Sequence, residues 1–177
     1  MAYIKESFLR TKAVDTVLEK SASIMMEVTK SLSSAKRIFL SHSHLDKDLA
    51  KGLKNYLSSL GIDLYIDWED SSMPPTTDKV TAEKIKDKIG RSDHVLVLAT
   101  KNAMRSHWVP WEIGIADIKI SPSSISIIPI VDALGNFDGY EYLQLYDRVE
   151  IVDNNIIAVF KPNATRGVRI ASWLEGI

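Results

Sequence analysis

The stretch "RIFLSHSHLDKDLAKGLKNYLSSLGIDLYIDW", residues 37–68, decides the fold. Its first part, "RIFLS" (37–41), is a short apolar run of the kind found in a strand covered on both faces. Leu49, Leu53, Tyr56, Leu57 and Leu60 then recur at helical spacing, and Gly61 marks a stop. "IDLYIDW" (62–68) alternates as a strand does. Strand, helix, strand in this order is a βαβ unit, and it implies parallel pairing.

The pattern continues outward from that unit. "EDSSMPPTTD" (69–78) reads as a long loop, and "KVTAEKIKDKIGRS" as a helix with Val80, Ile85 and Ile89 inward. "HVLVLA" (94–99) and "SISIIPIV" (124–131) are further strands, separated by a helix over 107–119. "RVEIVDNNIIAVF" reads as strand, turn at Asn154-Asn155, and strand, and residues 165–177 as a last helix. On the N-terminal side, Ile4, Phe8, Val14, Val17, Leu18, Met25, Val28 and Leu32 form a helical stripe, and "SLSSAK" (31–36) breaks it. The expected organisation is a helical extension over 1–34 and an α/β domain over 35–177.

Composition narrows the function classes. The chain has 177 residues, a net charge of −1 and no basic stripe, so nucleic acid is not expected as a partner. With no cysteine there is no disulfide and no thiol chemistry, as suits a reducing cytoplasm. No apolar run approaches the ~20 residues of a membrane span, and the charged start does not read as a secretory signal. The eight glycines form neither a dinucleotide fingerprint nor a phosphate loop. The first strand ends in "SHSH" (41–44) rather than the acid pair of a phosphorelay receiver. Asp46 and Asp48 read instead as first-turn residues favoured by the helix dipole. His42 and His44 lack evident further ligands, so no metal site is expected.

In parallel sheets ligands sit beyond the carboxyl ends of the strands. "SHWVPWEIG" (106–114) follows one such end. Ser106 suits an N-cap, which puts Pro110 in the first turn. Trp108, Glu112 and Ile115 then share one helix face. The helix dipole lowers the pKa of Glu112 and burial beside an indole raises it, so the sign of its shift is open at this level. Trp111 is expected to pack in the core.

These residues resemble a TIR domain (Toll/interleukin-1 receptor type) over about 36–152. Trp108-x-x-x-Glu112 matches the W-x-x-x-E pattern of catalytic members, and "SHWVPWEIGIAD" with "YIDWED" is similar to stand-alone bacterial ones, such as the Thoeris-type B proteins of anti-phage defence. The resemblance implies a flavodoxin-like sheet of five parallel strands with helices on both faces. It implies cleavage of NAD+ at the nicotinamide–ribose bond, with NAD+ as substrate and no resident cofactor, and a linear, cyclic or conjugated ADP-ribose product sensed by a separate effector. By position it makes Glu112 the catalytic carboxylate and Trp108 the motif tryptophan. Ser41, His42 and Ser43 would border the nicotinamide site, and Asp67 and Trp68 would open the loop that gates it. His42 stands where many members carry Tyr, and "SSMPPTTD" lacks the glycine often found there. TIR–TIR self-association is implied as well. A non-catalytic TIR adaptor is the rival reading, and a nucleoside deoxyribosyltransferase-like enzyme a third.

Overall fold

The computed structural model describes residues 2–14, 36–71, 78–137, 139–152 and 156–176. The elements run β1 (Ile4–Lys5), α1 (Glu6–Val14), β2 (Ile38–Ser41), α2 (Lys47–Ser59), α3 (Lys79–Gly90), β3 (His94–Ala99), α4 (Lys101–Arg105), α5 (Trp108–Lys119), β4 (Ile125–Val131), β5 (Asp147–Val152), β6 (Ile156–Phe160), β7 (Gly167–Arg169) and α6 (Ile170–Glu175). Strands β2, β3, β4 and β5 pair in parallel in that order. Tyr65 adds a parallel bridge to Phe39 on the outer side of β2. The spatial order is therefore that of a flavodoxin-like sheet.

The expected strand over 62–68 contracts to that bridge. Tyr65 donates its N–H to the Ile38 carbonyl and accepts from the Leu40 N–H, after which the chain turns into a 3-10 segment, Asp67–Glu69. At the other edge the sheet goes beyond five parallel strands: β6, expected as a strand, pairs antiparallel with β5, and β7, which was not expected, pairs antiparallel with β6. The last helix is correspondingly shorter, since Gly167–Arg169 is taken as a strand. The turn expected at Asn154-Asn155 lies outside the described residues.

Alternation along the strands builds two cores. Ile38, Leu40, Leu96, Leu98 and Ile128 face one side and meet α1, α2 and α6 through Leu9, Leu53, Leu57 and Leu174. Phe39, Val95, Val97 and Ile127 face the other and meet α3 and α5 through Ile85, Ile89, Val109 and Ile113. In α3, Ile85 and Ile89 are inward but Val80 is exposed; Thr81 takes that place. The reason is the cap: Asp78 accepts from the Thr81 N–H at 3.0 Å, which sets the phase of the first turn.

α2 ends as its sequence requires. Gly61, at φ +80°, donates to Ser58 O, and Ile62 donates to Leu57 O, a Schellman motif with Ile62 buried behind it.

The N-terminal stripe is only partly a helix. Ile4 lies in β1, paired with Ile130 of β4, and α1 spans Glu6–Val14. Ala2 pairs with Ile151, so this segment fills the fork where β5 parts from β4. Ile4 and Leu9 are fully buried, so residues 2–14 share the domain core. α1 crosses α2 at Gly52, where an added Cβ would lie 1.9 Å from Leu9 O. The rest of the stripe, through Leu32, lies outside the described residues.

Candidate active site

The site begins at the last residue of β2. Ser41 shares the face of Phe39 by the period of two, so its side chain points to the α5 side of the sheet. Helix α5 has His107 rather than Ser106 at its N-cap, but Ser106 Oγ still accepts from the Trp108 and Val109 N–H groups at 3.1 and 3.4 Å. Pro110 then sits harmlessly in the first turn. One turn on, Glu112 meets Ser41, whose Oγ donates to Glu112 Oε2 at 2.5 Å.

Ser41 is fully buried and Glu112 is 5% exposed. Burial pushes the Glu112 carboxyl up to about 8, the Ser41 hydrogen bond pulls it down, and the nearby Asp67 charge pushes it up. The contest left open by the sequence is thus won by burial, the helix dipole notwithstanding. A carboxylic acid poised near neutrality suits a group that must carry charge only as positive charge develops opposite it.

Around this pair the structure brings together some expected residues and reassigns others. Trp108 is half-buried and packs edge-to-face on Trp111, with ring centroids 5.2 Å apart, while Lys86 lies over Trp111 at 5.6 Å. Both indoles join the α3–α5 core, as expected for Trp111. Ser43 is buried, and its Oγ accepts from the Leu45 N–H at 3.3 Å, so its visible role is to shape the 3-10 turn His44–Asp46. His42 has a side chain 4% exposed, with Nδ1 on Leu40 O and Nε2 accepting from Trp68 Nε1. Asp67 lies beside it, 3.9 Å from Nε2. His44 is exposed, and among the described residues no three potential ligands gather.

Asp46 is a site residue the sequence reading placed for a different reason. It stands at the N-cap of α2 but makes no side-chain cap. Its buried carboxylate instead accepts from Thr100 Oγ1 and, at 2.7 Å, from Asn102 Nδ2. It therefore ties the turn after β2 to the turn after β3. Thr100 in turn accepts from the Ala103 N–H and caps α4. Only an acid-to-hydroxyl pairing 54 positions apart could have revealed this, and no periodicity carries that signal.

Two open cavities, of about 770 and 720 Å³, lie elsewhere. The first is lined by Tyr3, Phe137, Tyr146 and Arg148, and the second by Lys54, Tyr65 and Lys88. Neither is lined by Glu112.

The TIR domain profile matches residues 38–156, the span that carries β2 through β5 and every residue of this site. The chain belongs to the TIR domain family. It is similar to a protein of Bacillus cereus (strain MSX-D12) named probable 3′ cyclic ADP-D-ribose synthase ThsB′, 32% identical over 147 residues, covering 78% of this chain and 75% of that protein. It is also similar to a candidate cyclic ADP-D-ribose synthase, TIR2, of Cytobacillus dafuensis, 29% identical over 79 residues. That match covers 43% of this chain and only 21% of the relative. No helix among the described residues of the TIR domain is long and apolar enough to cross a membrane.

Proposed function

We propose that this chain cleaves the nicotinamide–ribose bond of NAD+ and converts the ADP-ribosyl part into a cyclic signal nucleotide, in bacterial anti-phage defence. The observation that carries this reading is the buried Ser41–Glu112 pair at the carboxyl end of β2. The names of the two relatives support the cyclic product.

Nicotinamide leaves as a neutral molecule from a cationic ring, so no acid has to protonate it. The ribose carbon that it leaves takes on oxocarbenium character, as in glycoside cleavage. The Glu112 carboxylate faces that charge. The pyridinium of bound substrate opposes the burial that protonates Glu112, so binding and ionisation support each other. Ser41 holds Oε2 in place. The 3′-hydroxyl of the substrate's own adenosine ribose, losing its proton as its oxygen bonds to that carbon, closes a 3′ cycle; water in its place gives ADP-ribose.

A carboxylate 5% exposed meets substrate only when its cover parts. We assign that opening to association of TIR domains, in a cytoplasmic assembly that needs no resident cofactor and whose product acts on a separate effector. Trp108 supports the helix that carries Glu112, and Asp67 and Trp68 border the substrate.

The burial of Glu112 also favours a second reading, a TIR adaptor that works by assembly alone. One experiment separates them. Purified chain is incubated with NAD+ at high protein concentration, and products are resolved by mass spectrometry. Nicotinamide with a product of cyclic ADP-ribose mass, lost in Glu112→Gln, is the expected result. Assembly without nicotinamide release would establish the adaptor.

A further inference from the structure

Trp68 Nε1 donates to His42 Nε2 at 2.8 Å, and His42 Nδ1 faces Leu40 O at 3.3 Å. An indole nitrogen is a donor only. His42 Nε2 must therefore carry a free lone pair, and the ring proton sits on Nδ1, where Leu40 O accepts it. The imidazole is neutral, in one tautomer, with both nitrogens committed inside the protein.

Asp67 Oδ1 lies 3.9 Å from the same Nε2. That oxygen is buried and has no hydrogen-bond partner among the described residues. A buried acceptor in this state is costly unless something else fills it. It is also close enough to Glu112 to act on its charge. Trp68, Asp67 and Glu69 form one short 3-10 turn, so whatever fixes the indole fixes the carboxylate too. Lys47 covers the indole at 5.5 Å.

We propose that His42 is a positioning residue of the Glu112 site. By accepting the Trp68 N–H it pins the turn Asp67–Glu69 against the end of β2, and this holds the unpaired Asp67 oxygen where a ribose hydroxyl of the substrate donates to it. The role rests on the NAD+ reading above. It differs from a substrate contact by His42 itself, for which no ring nitrogen remains. The charged groups facing the imidazole are Asp67 from the turn, Asp46 before α2 and Lys47 within it. Protonation of Nε2 would set two donors against each other, so the arrangement requires neutral His42.

The test uses the full chain and four variants: His42→Ala, His42→Gln, Trp68→Phe, and His42→Ala with Trp68→Phe. Glutamine offers an amide oxygen that can accept the same N–H. Each single loss of the hydrogen bond is expected to raise KM for NAD+ about tenfold, with a smaller change in kcat. The double variant should be no worse than either single, and His42→Gln should recover most of the loss. In 15N-labelled protein, the Trp68 indole resonance, assigned by its disappearance in Trp68→Phe, should move in His42→Ala and return in His42→Gln. Additive losses, unchanged KM in both single variants, or an indole resonance that ignores His42 would each overturn the role. Wild-type chain that releases no nicotinamide overturns the NAD+ reading together with it, whereas active wild type with indifferent variants overturns the role alone.

Discussion

Ser41 Oγ and Glu112 Oε2 lie 2.5 Å apart across 71 positions of chain, with both side chains buried. This hydrogen bond favours the Glu112 charge, opposed by burial and by Asp67. Replacing Ser41 with Ala therefore has a defined sign. The Glu112 pKa should rise further, and the alkaline midpoint of the kcat/KM profile for NAD+ should rise with it. Activity at neutral pH should fall by roughly tenfold, since a one-unit shift makes the carboxylate ten times rarer. A profile that keeps its midpoint in Ser41→Ala would separate the two residues.

With Glu112 near 8, the free enzyme has the wrong protonation state at pH 6 and the right one at pH 9. The kcat/KM for NAD+ should climb with pH and level off above about 8. Glu112→Gln should abolish the climb along with the activity. Initial rates at low NAD+ from pH 6 to 9.5 check this.

The same group acts on stability with the opposite sense to an ordinary carboxylate. Its folded pKa lies above the ordinary 4.5, so between 4.5 and about 8 the native chain holds a proton that the unfolded chain has released. Stability from this group is full below 4.5 and is lost as pH rises toward 8, by at most about 1.4 kcal/mol per unit. Glu112→Gln should flatten that slope in denaturant titrations at several pH values, and be the more stable protein at pH 8.

Gly52→Ala tests how tightly the N-terminal segment is built in. The new methyl would lie 1.9 Å from Leu9 O, a backbone atom that cannot swing away. α1 must shift from α2, at a cost of roughly 1–3 kcal/mol. Urea unfolding should show the loss, and amide exchange should show it concentrated in residues 6–14.

Asp46→Ala removes the acceptor shared by Thr100 and Asn102 and takes from the O–H of the buried Thr100 its acceptor. A loss of about 2–4 kcal/mol is expected, with Asp46→Asn intermediate. Thermal melting gives the order. A variant as stable as wild type would show that the two turns hold together without this bridge.

What could be read from sequence follows from the range of each signal. The βαβ order, the helix over Trp108–Lys119, the Gly61 stop and the strand His94–Ala99 are local matters, set by period, caps and backbone freedom over a few residues. The short edge at Tyr65 and the strand β7 were not legible, because an edge is defined by which neighbour arrives, and alternation alone does not name the neighbour. Val80 turned outward for a similar reason: a capping bond at Asp78 outweighed one position's hydrophobicity.

The sequence by itself determined the fold family and singled out Glu112, since both rest on short patterns whose physics is contained in adjacent residues. Tertiary structure alone decided that Ser41 meets that carboxylate, that burial sets its charge, that His42 serves Trp68, and that Asp46 bridges two strand ends. Each of these is a contact between distant segments in a dry interior, where the energy of a polar group depends on the few atoms brought against it and not on its neighbours along the chain.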